Sequence, residues 1–113
     1  MGADVRHVTV NITQILPALL GSHKTDINSV ATVLDLHPKK LQRLLKEEGT
    51  NFSELVEDVR RTMAARLLTE TDLSIGHIAK MLDYTTDRSF GVAVKRWFNM
   101  TPTEYRKQRY EDV

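Results

Sequence analysis

Four cations crowd one short stretch of the chain. Lys39, Lys40, Arg43 and Lys46 follow one another with no acid among them, and Gln42 stands in their midst. Such a run suits phosphates and other anions, and it equally makes a plain solvated helix face. On charge alone the solvated face is favoured, because a long-range binding patch needs more than a local cluster and the acids Glu47, Glu48, Glu54, Glu57 and Asp58 follow directly. Other chemistry has less behind it. His7, His23, His37 and His77 are scattered and form no His-x-x-x-His or similar ligand spacing. With no cysteine there is neither a disulfide framework nor a thiolate zinc site. There is no glycine-rich phosphate loop and no nucleophile–base set, so neither metal nor cofactor nor enzymatic activity is expected.

The elements that carry these residues are all helical by pattern. At 113 residues, 41% hydrophobic and 27% charged, the chain is of ordinary globular composition, enough for one domain or two small subdomains. No apolar run approaches a membrane span, and the opening MGADVRHVTV lacks the apolar centre of a signal peptide, so a cytoplasmic protein without membrane contact is expected. After a loose lead-in over residues 1–8, Val8–Leu20 reads as a helix complicated by Pro17. If Thr13 is its N-cap the proline lies harmlessly in the first turn; otherwise it kinks the helix.

Asp26 caps a short helix, Ile27–Leu34, with Ile27, Val30, Ala31 and Leu34 on one face. Asp35 then supplies a left-handed turn, and Pro38 opens a helix to Glu48 that turns Leu41, Leu44 and Leu45 inward and Lys39, Lys40, Gln42, Arg43 and Lys46 outward. A long helix, Asn51–Glu70, follows, started by Asn51 and Glu54 as a capping box, with Phe52, Leu55, Val56, Val59, Met63 and Leu67 along one stripe. Ser74 caps Ile75–Leu82, Thr86 caps Asp87–Phe98, Asn99 stops it, and Thr101-Pro102-Thr103-Glu104 opens a last short helix to about Arg109.

A repeat now appears. Ile27-x-x-Val30-Ala31-x-x-Leu34-Asp35-Leu36 aligns with Ile75-x-x-Ile78-Ala79-x-x-Leu82-Asp83-Tyr84 at a constant offset of 48. Two short helices joined by a tight turn make a helix-turn-helix unit, whose second helix fits the DNA major groove. One such pair is equally ordinary helical packing; two with the same apolar spacing favour duplex binding. Recognition helices on one face of DNA lie roughly 34 Å apart, and about 19 helical residues span roughly 28 Å. The predicted architecture is therefore all-α, with about seven helices: a first subdomain at 1–50, a linker helix at 51–70 and a second subdomain at 71–113.

Over Ile27–Arg106 the sequence resembles the C-terminal DNA-binding domain of AraC/XylS transcriptional regulators. The resemblance rests on Pro38-Lys39-Lys40-Leu41-Gln42-Arg43-Leu44-Leu45, Glu48-Gly49-Thr50-Asn51-Phe52, Arg60-x-x-x-Ala64-x-x-Leu67-Leu68, Ser74-Ile75-x-x-Ile78-Ala79-x-x-Leu82, Lys95-Arg96-Trp97 and Thr101-Pro102-x-x-Tyr105-Arg106. It implies sequence-specific double-stranded DNA binding in transcription regulation, with RNA polymerase as a partner and an N-terminal effector or dimerisation domain that this stretch lacks. It implies base contacts from Lys39, Gln42 and Arg43, the arginine to guanine O6/N7 and the glutamine to adenine N6/N7, and from Asp87 and Arg88 in the second unit. Backbone contacts fall to His37, Lys40, Lys46, Thr86, Lys95 and Arg96.

The departures are specific. Asp35, Asp83 and Asn99 stand where the family usually has glycine, and all three tolerate the left-handed conformation. In place of Phe-x-Arg-x-Phe the second recognition helix has Phe90-Gly91-Val92-Ala93-Val94, so Val92 replaces an arginine. Val92 either touches a thymine methyl or packs in the core. The first unit is thus expected to carry most of the specificity and the second mainly phosphate contacts and register. The rival reading is a helical protein–protein adaptor, or a regulator without sequence-specific readout, supported by Asp87 and Val92. Trp97 is expected in the core near the last helix rather than stacked on a base.

Overall fold

The computed structural model describes residues 7–111. Among them are seven helices and no strand: α1 (Val8–Leu19), α2 (Ile27–Val33), α3 (Pro38–Glu47), α4 (Phe52–Glu70), α5 (Ile75–Met81), α6 (Asp87–Phe98) and α7 (Pro102–Glu111). No helix among these residues is long and apolar enough to cross a membrane. The chain divides into two compact units between Val59 and Arg60, inside α4. The predicted lead-in lies mostly outside the described residues.

Helix starts follow the cap chemistry. The Asp26 carboxylate accepts from the Ser29 N–H at 3.1 Å and the Ser29 hydroxyl at 2.6 Å. Ser74 Oγ accepts from the His77 N–H at 3.1 Å. At α7 the box is reciprocal: Thr101 Oγ1 accepts from the Glu104 N–H, and Glu104 Oε1 from the Thr101 N–H at 2.8 Å. At α4, Asn51 Oδ1 accepts from the Glu54 N–H, while the Glu54 carboxylate accepts from the Thr50 hydroxyl. Each bond satisfies a group that the first turn would otherwise leave unpaired.

In the first unit, α1, α2, α3 and the start of α4 close on Ile12, Leu16, Val30, Leu41, Leu45 and Leu55, all buried. Thr13 does not cap α1; the helix starts at Val8, and the Thr13 hydroxyl donates to the Val10 carbonyl. Pro17 therefore sits in the last turn, and α1 ends two residues after it. Its N-cap, His7, makes no side-chain cap bond; instead the Glu48 carboxylate, from the end of α3, accepts from the Val8 and Thr9 N–H groups at 3.1 and 3.2 Å. A carboxylate there also meets the positive end of the helix dipole.

The stripe expected along α4 holds only in its first half. Leu55 and Val59 are buried, but Met63 and Leu67 are half-buried, and Ala64 and Leu68 take the interior positions. The helix serves two cores in succession, and each selects its own positions. In the second unit Leu68, Ile78, Leu82, Phe90 and Val94 are fully buried. Here α7 clamps the end of α4. Arg106 donates from Nε to the Leu68 carbonyl at 2.9 Å and from Nη2 to those of Leu67 and Thr71, each at 3.4 Å. Arg109 adds the Thr71 carbonyl at 2.8 Å and the Asp72 carboxylate at 2.7 Å. These cations satisfy carbonyls that a helix C-terminus leaves without N–H partners.

Arg106→Ala removes three part-buried hydrogen bonds at once and should lower unfolding stability by about 1.5–3 kcal/mol, read as a reduced urea midpoint at unchanged slope. Lysine should not restore it, because a point charge cannot span three carbonyls. Hydrogen bonds from Thr101 hold the Glu104 carboxyl below its ordinary value, as bonds from Ser29 hold Asp26. Such a depressed group contributes stability above its unfolded value and loses it as pH falls through the folded one. The melting-temperature gap between the native chain and Glu104→Gln should accordingly be open at neutral pH and close in acid.

Candidate nucleic-acid interface

The two helix pairs α2–α3 and α5–α6 share one turn. In the first, the Leu34, Asp35 and Leu36 N–H groups donate to the Val30, Thr32 and Ala31 carbonyls at 3.1, 3.1 and 2.9 Å. In the second, Leu82, Asp83 and Tyr84 donate to Ile78, Lys80 and Ala79 at the same three distances, 48 residues on. The bond reaching back five residues encloses a left-handed residue, Asp35 at φ 56° and Asp83 at φ 65°, the helix-ending arrangement in which glycine is usual. Gly49, at φ 81°, ends α3 in the same way, with Thr50 donating to Leu45. Asn99 stops α6 at φ 58°.

His37 is the N-cap of α3, its Nδ1 accepting from the Lys39 N–H at 3.1 Å, with Pro38 at the first helical position. Leu41, Leu44 and Leu45 are buried, and Lys39, Lys40, Gln42, Arg43 and Lys46 are exposed, as their spacing predicts. Lys39, Gln42, Arg43 and Lys46 stand at i, i+3, i+4 and i+7 and therefore form one stripe; Lys40 lies to its side. Glu47, the first of the acids that follow the cluster, stands four residues after Arg43, a helical pairing signal. Its carboxylate lies 3.7 Å from the Arg43 guanidinium, in an exposed pair worth less than about 1 kcal/mol. A duplex can therefore take Arg43 from it at little cost.

In the second unit Thr86 and Ser89 form a reciprocal capping box at the start of α6. Phe90, Ala93 and Val94 are buried, and Arg88, Val92, Lys95 and Arg96 are exposed along one face. Val92 is 58% exposed, so the alternative of a core position falls away. Asp87 points its carboxylate at α5: a Cβ on Gly76 would meet its Oδ2 at 3.2 Å. Lys95 Nζ donates to the Asn99 carbonyl at 3.3 Å, and the Arg96 guanidinium lies 5.8 Å from the Trp97 ring centre.

Behind this face the aromatics run in series: Phe90 to Tyr84 at 5.5 Å, Tyr84 to Trp97 at 6.4 Å, Trp97 to Phe98 at 6.0 Å, and Phe98 stacked on Tyr105 at 4.3 Å. Trp97 is half-buried in that series, beside α7 through Phe98 and Tyr105. The Arg60 guanidinium covers the Tyr84 ring at 5.0 Å, tying α4 to the residue that ends the second turn. Sequence spacing carried no sign of that contact. Among the described residues no group of histidine and acidic side chains could hold a metal ion.

Residues 30–108 match the family described as a helix-turn-helix domain. The chain is 39% identical over 88 residues to the HTH-type transcriptional regulator VirS of Mycobacterium tuberculosis, an alignment covering 78% of this chain and 26% of VirS. It thus spans about a quarter of that relative's length. Among solved structures it is similar to the C-terminal domain of AraT, a response regulator from Geobacillus stearothermophilus, at 32% identity and a TM-score of 0.68, covering 87% of this chain and 85% of that one. It also shares its fold with a DNA-binding transcriptional dual regulator from Escherichia coli K-12, at a TM-score of 0.84 and 23% identity over 98% and 96% of the two chains.

Two substitutions test the local geometry. A left-handed residue other than glycine costs about 1–2 kcal/mol, which the greater chain freedom of glycine partly offsets. Asp35→Gly should therefore hold or raise the melting temperature, whereas Asp35→Val should lower stability by more than about 1 kcal/mol. A Cβ at Gly91 meets nothing within 4 Å, so Gly91→Ala should stabilise by up to about 1 kcal/mol through helix propensity alone.

Proposed function

The chain belongs to the AraC/XylS family of helix-turn-helix domains, the DNA-binding parts of transcription regulators, and from that premise we propose how its own residues meet the duplex. α3 and α6 enter successive major-groove segments, with α4 as the spacer between their units. The observation that carries this reading is the turn repeated bond for bond at an offset of 48, each copy followed by a helix with an exposed face.

In the first unit Lys39, Gln42 and Arg43 contact base edges, while His37, Lys40 and Lys46 hold phosphates. In the second, Asp87 and Arg88 are the base-contacting pair, and Thr86, Lys95 and Arg96 face the backbone. The Asp87 carboxylate, set against Gly76, must swing or reach past α5 to do so. The polar stripe of α3 has four hydrogen-bonding side chains; that of α6 is interrupted by Val92. Specificity therefore lies mainly in the first unit. The adaptor reading has less support, since the relatives named above are regulators known by this motif.

Because the chain spans 26% of VirS, the remainder of the reading concerns a longer protein. In it an N-terminal effector or dimerisation domain precedes this one, RNA polymerase is the partner, and the protein works in the cytoplasm.

A selection of bound sequences from random duplexes supplies the site. Arg43→Ala should then relax base preference at one position, costing about 1–3 kcal/mol of discrimination. Lys46→Ala should weaken all sequences alike and reduce the salt slope by about 1. Mutating each half of the site separately should show the larger loss in the half met by α3. Equal losses would count against the asymmetry, and an unchanged preference in Arg43→Ala would remove Arg43 from the base-reading set.

A further inference from the structure

The exposed face of α6 has an apolar centre in a cationic frame. Val92 is 58% exposed; Arg88 precedes it by four residues, and Lys95 and Arg96 follow by three and four, so all four side chains share one helical face. Its neighbour Gly91 has no side chain to hold a partner away, and the space where a Cβ would stand is empty to 4 Å. A single exposed valine on a surface calls for no explanation. One at the middle of a stripe whose other members are cations does, because cations on both sides draw the helix toward a duplex and press the centre of the face into the groove. The only outward apolar group that a base pair presents in the major groove is the C5-methyl of thymine.

We propose that Val92 is a specificity-determining residue that packs its branched methyls on one thymine C5-methyl in the part of the site met by α6. The inference rests on the groove placement of α6 proposed above. It means that the second unit discriminates by apolar contact where it lacks a hydrogen-bonding side chain. Both partners are desolvated together, and neither leaves a buried polar atom behind, so the contact reads thymine without the penalty that a misplaced hydrogen bond would bring.

The test uses the whole chain and the selected duplex, with thymines replaced one at a time by deoxyuridine, which lacks only the methyl. Loss of one buried methyl, about 0.8 kcal/mol, corresponds to roughly 4-fold in affinity. One replacement in the half met by α6 should produce that loss, and Val92→Ala should bind the thymine and deoxyuridine duplexes equally, at about the native affinity for deoxyuridine. Val92→Thr, which keeps one methyl, should retain part of the discrimination. If no replacement in that half weakens binding, or if Val92→Ala still distinguishes the two duplexes, the proposal is overturned while the groove placement stands. If Val92→Ala leaves affinity for every duplex unchanged, the valine serves a partner other than DNA and the proposal is again overturned. Absence of any sequence preference in the native chain would instead overturn the placement of α6 and this inference with it.

Discussion

Everything outward-facing in the two units depends on a single backbone event, the left-handed residue that ends α2 and again α5. A helix end leaves its last carbonyls without N–H partners. At Asp35 and Asp83 the chain reverses hand for one residue and brings the next N–H back to a carbonyl five residues earlier. That closure fixes the direction in which the chain leaves, and hence the angle at which α3 or α6 begins. The cost of left-handed φ at an aspartate is offset by the recovered bonds and by burial of Leu34 and Leu82, which stand immediately before it. Were the turn to open, the cationic stripe of α3 would remain on a helix and lose its fixed direction.

The cores then hold these helices from behind. In the first unit Leu41, Leu44 and Leu45 anchor α3, so that Lys39, Gln42, Arg43 and Lys46 are left exposed. In the second, Phe90, Ala93 and Val94 anchor α6, and the aromatic series from Phe90 to Tyr105 extends that support to α7. Arg106 and Arg109 complete it by binding the carbonyls at the end of α4. The outward side chains are left with weak ties: an exposed pair of Arg43 with Glu47, and Lys95 on a carbonyl of its own helix end. Such ties yield readily to a phosphate or a base edge.

Local rules go far here because the elements are short and well punctuated. Asp26, Asn51, Ser74, Thr86 and Thr101 each stand at a helix start and make the bond their type predicts. The positive φ at Asp35, Asp83 and Asn99 was likewise legible from the repeat and from residue type. The boundaries moved by a residue or two, as helix ends do; α7 extends past Arg109 to Glu111. The start of α1 at Val8 followed from the apolar pattern, but what caps it was not legible, because that group is Glu48, forty positions away along the chain. Nothing near Val8 signals it, and the local candidate, Thr13, uses its hydroxyl inside the helix.

The sequence by itself determined the helices, the turn and its duplication, and the basic stripe of α3, since all of these follow from residue type and a spacing of three or four. Family membership was legible in the same motifs. Only the tertiary structure decided which residues of α4 each core would take, exchanging Met63 and Leu67 for Ala64 and Leu68. Only it decided that Val92 faces outward, that Arg60 covers Tyr84 and that Arg106 closes the end of α4. Periodicity shows that a helix has an apolar side. Where two cores use one helix, or an apolar residue stands in a cationic face, the position is set by what the neighbouring elements leave uncovered.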